Sequence, residues 1–184
     1  MSVPRGGAAV ALSPAPSGAQ SSPPAAATAA PAPPITVQAT ANVVDATGAK
    51  LGTLSFSDTP AGLLVSGTLT GLAAGPHGIH LHTVGLCEAP FTTAGGHFNP
   101  SGAKHGYRSP MGHHAGDMPN IVATAADPLS FQFMVDGVKL TGAGGLLDAD
   151  GAAVVIHASA DDYMTDPAGA SGARVGCGVI TATK

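Results

Sequence analysis

No stretch of this chain keeps a helical apolar period for three turns. What recurs are short runs of Val, Ile, Leu and Thr, broken every few residues by Gly, Asp, Asn or Pro. With 26 Gly and 16 Pro in 184 residues, long helices are excluded and strands with tight turns are favoured. Candidate strands cover residues 36–44, 50–57, 63–70, 78–83, 121–124, 129–135, 152–157 and 176–181. In Leu129-Ser130-Phe131-Gln132-Phe133 the apolar residues take every second position, so one face is buried. This pattern predicts an all-β, eight-stranded Greek-key β-sandwich or flattened barrel. Residues 84–120 and 158–172 do not fit a strand-and-turn plan. Loops of that length without structure of their own are usually functional.

The strands belong to residues 35–184, about one ordinary domain. Residues 1–34 are almost wholly Ala, Pro, Ser and Gly, with a single charge at Arg5, and cannot bury enough surface to offset the entropy of ordering. Two readings of this segment stay open, a weak secretory signal and a flexible linker. No apolar run reaches the roughly 18 residues of a membrane span. The formal net charge of −4 argues against nucleic acid, which calls for a basic stripe. Gly142-Ala143-Gly144-Gly145 lacks the strand–helix setting of a phosphate loop. Cys87 and Cys177 allow one disulfide, which favours an oxidising compartment, periplasmic or extracellular.

The chemistry of the chain lies in its histidines. Alternate residues of a strand share a face, so His80 and His82 in Gly78-Ile79-His80-Leu81-His82 place two imidazoles side by side, as adjacent ligands of one ion require. His97, His105, His114 and Asp117 follow inside the first long loop. Three imidazoles and a carboxylate closing round an ion would hold such a loop, and an N3O set suits zinc. His157 ends the apolar run Val154-Val155-Ile156 and could complete a copper site begun by His80 and His82.

These elements resemble the copper–zinc superoxide dismutase family: Gly78–His82, Gly96-His97-Phe98-Asn99-Pro100, Lys104-His105-Gly106, His114-Ala115-Gly116-Asp117, Val155-Ile156-His157 with Asp161-Asp162, and the run from Gly172 through Ala173-Arg174-Val175-Gly176-Cys177 to Ile180. They span most of residues 35–184 in the family's order. The resemblance implies copper held by His80, His82, His97 and His157, and zinc by His97, His105, His114 and Asp117, with His97 bridging as a shared imidazolate. It implies that Asp161 links a copper ligand to a zinc ligand, that Arg174 receives the substrate beside the copper, and that Cys87 and Cys177 form the family's disulfide. His77 matches a structural histidine and stands outside the metal set. His113 is taken as a surface neighbour of His114, the one place where a register slip would change the assignment.

The implied activity is conversion of superoxide to O₂ and H₂O₂, with His97 and Arg174 as the catalytic protein groups. The family is itself a standing example of electrostatic steering. Many members carry a guiding lysine before the arginine, but Asp162 to Ser171 contains no Lys. Lys104 and Arg108 of the first long loop are the alternative source of positive field. A non-catalytic metal-buffering or metallochaperone domain is the competing reading; such domains typically lose copper ligands or the arginine, and all stand here. Monomer and homodimer both remain open.

Overall fold

The computed structural model describes residues 36–124 and 128–184; the readings made for residues 1–34 lie outside them. Among the described residues there is no α-helix, and no helix is long and apolar enough to cross a membrane. The strands are β1 (Ala39–Val44), β2 (Lys50–Thr59), β3 (Gly62–Leu69), β4 (Gly75–His77), β5 (Ile79–His82), β6 (Ile121–Ala123), β7 (Leu129–Val135), β8 (Ala153–His157), β9 (Arg174–Val179) and β10 (Thr181–Ala182). One antiparallel sheet runs in the order β5-β8-β9-β1-β2-β3-β7, with β10 also paired to β1. β4 pairs with β6 in a second, two-stranded sheet.

Eight strands were expected and all have counterparts, some with shifted ends. The fourth expected strand breaks at Gly78 into β5 and leaves β4 upstream of it. Pro76 in the middle of β4 hides that strand from a propensity argument, because proline cannot donate to a ladder. Gly78 instead bonds sideways: its N–H donates to Ser159 O and its carbonyl accepts the His157 N–H, both at 2.8 Å.

Strand alternation sorts the side chains into two environments. Ile79, Leu81, Val154 and Ile156 join Leu54, Phe56, Leu63, Val65 and Leu69 in the main core. The intervening residues of β5 and β8 therefore face the other side. There Ala153 and Val155 pack with Cys177, Phe91 and Ala94 in a smaller cluster. The ladder sets His80 opposite Val155, His82 opposite Ala153, and His157 opposite Arg174. His80, His82 and His157 thus occupy the face that the first long loop covers. That loop hydrogen-bonds along the edge of β5 not taken by β8: Phe98 N–H donates to Leu81 O at 2.8 Å, and Leu81 N–H to Gly116 O at 2.9 Å. Isolated bridges bring Asp117 opposite His80 and His97 opposite His82.

Candidate metal centre

Among the described residues, three groups of potential ligands form under the loop; one is His80, His105 and Asp161, and the other two gather the residues expected to hold copper and zinc. Of these two, His80, His82, His97 and His157 form the first; His97, His105, His114 and Asp117 form the second. Within each, one ligand atom per residue lies within 4.8 Å of all the others, and every residue is buried. The chain order of the residues does not produce this; the β5–β8 ladder and the loop bridges do.

In the first group each outward-facing ring nitrogen is fixed by an acceptor on its other side. His82 Nδ1 lies 3.0 Å from Gly95 O and His157 Nδ1 lies 3.1 Å from Gly172 O. A carbonyl only accepts, so both rings carry their proton on Nδ1 and turn a bare Nε2 inward. His80 gives its Nε2–H to Asp161 Oδ2 at 2.9 Å, which frees Nδ1. The inward atoms, His80 Nδ1, His82 Nε2, His97 Nε2 and His157 Nε2, are buried with no hydrogen-bond partner. Four convergent ring nitrogens without partners fit a divalent transition metal and little else. Burial keeps the rings neutral: it pulls His82 down to about 2 and His157 to about 4, and His80 also to about 4 although Asp161 opposes the shift.

The second group is tighter. His97 Nδ1 lies 2.8 Å from Asp117 Oδ1, His105 Nδ1 3.1 Å, and His114 Nδ1 3.3 Å from the same oxygen. His114 Nδ1 is 3.2 Å from His97 Nδ1. A tetrahedron of ligands about 2.0–2.1 Å from zinc has edges of roughly 3.3 Å, so these donors already stand near zinc spacing. The other carboxylate oxygen, Asp117 Oδ2, accepts the backbone N–H groups of Gly106 at 2.8 Å and His114 at 3.0 Å, which holds Oδ1 toward the rings. Burial lowers His114. For His105 burial acts the same way, but hydrogen bonds to Asp117 and Asp161 prevail and raise it to about 9. Against the effect of burial, bonds from His105 and His97 hold Asp117 well below the usual carboxylate range, and bonds from His105 and His80 do the same for Asp161.

The two nitrogens of His97 serve different groups: Nδ1 contacts Asp117 in the second, and the unpartnered Nε2 belongs to the first. Asp161 makes another link: Oδ2 accepts from His80 and Oδ1 from His105 Nε2, each at 2.9 Å. The outer carboxylate expected from the resemblance therefore touches one member of each group.

Arg174 stands at the edge of the first group. Its guanidinium donates to Phe91 O at 2.6 Å and to Gly95 O at 2.7 Å, so Gly95 O serves both Arg174 and His82. Cys87 and Cys177 form a disulfide, which ties the loop to β9 and places Cys177 against Phe91. His77 lies outside both groups, with Nδ1 2.7 Å from His157 O and Nε2 2.8 Å from Ala73 O. His113 also lies outside, its Nδ1 2.8 Å from His114 O and its ring beside Tyr107. Lys104, one of the two residues suggested for steering, is ion-paired to Asp166 at 2.9 Å, which offsets its charge. Asn120, Tyr163, Gly169 and the carbonyls of Phe91 and Gly95 also shape the site. Sequence reasoning passed over them, because turn and loop contacts such as these leave no periodic pattern, and those of Asn120 and Phe91 span tens of residues.

Residues 50–180 match the family described as copper/zinc superoxide dismutase (SODC). The chain is 42% identical over 155 residues to Superoxide dismutase [Cu-Zn] of Deinococcus radiodurans, covering 77% of this chain and 83% of that one. To Superoxide dismutase [Cu-Zn] of Caulobacter vibrioides it is 42% identical over 147 residues, covering 77% and 84%. A crystal structure of a double mutant of a SOD-like protein from Bacillus subtilis superposes with a TM-score of 0.73 at 38% identity, over 76% of this chain and 95% of that one. A match from Lys50 to Ile180, with relatives of this similarity over most of both chains, has one meaning: the chain belongs to the copper/zinc superoxide dismutase family.

Proposed function

We propose that residues 35–184 form a superoxide dismutase domain that converts two superoxide anions and two protons to O₂ and H₂O₂. His80, His82, His97 and His157 would hold copper; His97, His105, His114 and Asp117 would hold zinc. Copper held there would supply the redox centre that superoxide disproportionation needs, whereas zinc has no redox chemistry. The observation that carries this reading is His97, whose Nδ1 lies 2.8 Å from Asp117 while its Nε2 faces three other imidazoles. A ring so placed is the group that would hold and release a proton at Nε2 during turnover. The bond from Nδ1 into the second group would keep it oriented meanwhile.

Arg174 would receive the anion. The chain is acidic on average, so its mean field repels superoxide. A fixed guanidinium makes a local funnel, and such steering raises association rates by roughly 10–10³; this family is itself a standing example. Asp161 would fix the ring nitrogens that His80 and His105 present. Every group in the proposal comes from one chain, so the reading is the same for a monomer and a homodimer. The Cys87–Cys177 disulfide favours a periplasmic or secreted location.

The test is metal analysis of the purified protein beside a superoxide assay. One copper and one zinc per chain with rapid, cyanide-sensitive superoxide removal is expected. His157→Ala is expected to lose copper and superoxide removal while keeping zinc. Metal binding without turnover would favour the buffering reading, and equal loss of both metals from His157→Ala would contradict the division of ligands.

A further inference from the structure

Asp161 is held by more than the two imidazoles it joins. Its Oδ1 also accepts the Tyr163 N–H at 2.6 Å. Its backbone is clasped by the side-chain amide of Asn120: Asp161 N–H donates to Asn120 Oδ1 at 2.8 Å, and Asn120 Nδ2 donates to Asp161 O at 2.9 Å. Tyr163 closes the ring, because its hydroxyl accepts the Asn120 N–H at 2.7 Å. Its carbonyl accepts the Arg108 N–H at 2.9 Å. Gly106 packs flat on the Tyr163 backbone, where an added Cβ would lie 2.1 Å from the carbonyl carbon. The N–H of that same Gly106 donates to Asp117 at 2.8 Å.

Tyr163 adopts φ 62°, the left-handed region. A bulky residue stands there only where its surroundings impose it, and such residues gather at functional sites. Here the conformation lets one residue offer its N–H to Asp161, its carbonyl to Arg108 and its hydroxyl to Asn120. Two of these partners, Asp161 directly and Asn120 through Asp161, bear on the two metal-facing groups.

We propose that Tyr163 and Asn120 are positioning residues: together they aim the Asp161 carboxylate and so determine which ring nitrogen of His80 and of His105 faces inward. The inference rests on the metal assignment above for its consequence, but not for its geometry. Without the brace, Asp161 turns more freely, the Nε2–H of each ring loses a fixed acceptor, and the inward Nδ1 lone pairs lose their direction.

The test uses Tyr163→Phe, Tyr163→Gly and Asn120→Ala in the full chain. In the metal-free protein, NMR follows solvent exchange of the Nε2–H protons of His80 and His105. Tyr163→Phe, which removes only the hydroxyl acceptor, is expected to speed both by roughly three- to tenfold, and Asn120→Ala by more. Exchange at the His77 ring, which bonds to Ala73 and His157, is expected to stay at the wild-type rate, which separates local loosening from general destabilisation. Tyr163→Gly relieves the left-handed strain but lacks the hydroxyl, and is expected to behave like Tyr163→Phe. In metal-loaded protein, zinc release to a chelator is expected to quicken several-fold in Tyr163→Phe with copper content unchanged. Wild-type exchange at His80 and His105 in Tyr163→Phe or Tyr163→Gly, or an equal rise at His77, overturns the proposal. Failure of the wild-type protein to take up copper and zinc overturns the functional reading, and the exchange result still decides the brace.

Discussion

Replacing Gly169 by alanine tests whether the loop backbone holds the Asp161 link. Gly169 has φ +63°, and a Cβ built on it would lie 1.7 Å from Asp161 Oδ1 and 2.7 Å from His105 Nε2. Non-bonded contact of this kind is comfortable only near ~3.5 Å, so the carboxylate must retreat by roughly 1.8 Å. It cannot do so and keep its bonds from His105 at 2.9 Å and from Tyr163 at 2.6 Å. The left-handed conformation costs alanine about 1–2 kcal/mol. Loss of a charge-assisted hydrogen bond in a buried site costs about 1.5–3 kcal/mol. The expected destabilisation is therefore roughly 2.5–5 kcal/mol. Gly137→Ala is the control: it has φ +69° but nothing within 4 Å of the added Cβ, so it carries the conformational cost alone. Urea unfolding of the metal-free protein measures both variants. Competition titration with a zinc chelator then tests whether Gly169→Ala also weakens zinc, expected by about tenfold or more for the loss of a bond to His105. If Gly169→Ala unfolds and binds zinc as Gly137→Ala does, the Asp161 carboxylate is free to move, and the reasoning from its close packing is wrong.

Three further outcomes are expected. Reducing the Cys87–Cys177 bond, which closes a separation of 90 residues, is expected to cost about 4–5 kcal/mol of stability by chain entropy; a loss under about 1 kcal/mol in denaturant titration would show that the loop is held by other means. In the metal-free protein, His80, His82 and His157 are depressed from an ordinary 6.5, so the unfolded chain takes up protons that the folded one refuses, and stability falls as pH drops from about 6.5 through about 4 for His80 and His157 and on toward about 2 for His82. His105, raised to about 9, adds stability that is complete below 6.5 and lost as pH rises through 9; urea midpoints at acidic, near-neutral and alkaline pH are expected to peak in the middle, and a higher midpoint at acidic pH contradicts the assignment. Arg174→Ala is expected to slow superoxide removal at low ionic strength and flatten its salt dependence, with copper and zinc content intact; an unchanged salt profile places the steering charge elsewhere.

The strands were legible because their pattern is local. Leu129, Phe131, Phe133 and Val135 turn inward from β7 as their alternation requires, and the pairing of His80 with His82 on one face followed from the same two-residue period. The seven side chains of the two groups were legible as types of ligand, and the resemblance sorted them into two sets. Their convergence needed the β5–β8 register and the bridges from His97 and Asp117 onto β5, which no spacing encodes. The supports of the site were least legible. Asn120 and Asp161 are 41 residues apart, and Gly169 reads in the sequence as an ordinary turn residue. Lys104 was legible as a charge, but its pairing with Asp166 joins two loops whose approach the sequence does not announce.

One carbonyl oxygen, that of Gly95, receives both the Nδ1–H of His82 and a guanidinium N–H of Arg174. A shift of the segment carrying Gly95 would therefore disturb the imidazole and the cation together. The anion-receiving role proposed for Arg174 would thus share one backbone anchor with an imidazole of the first group.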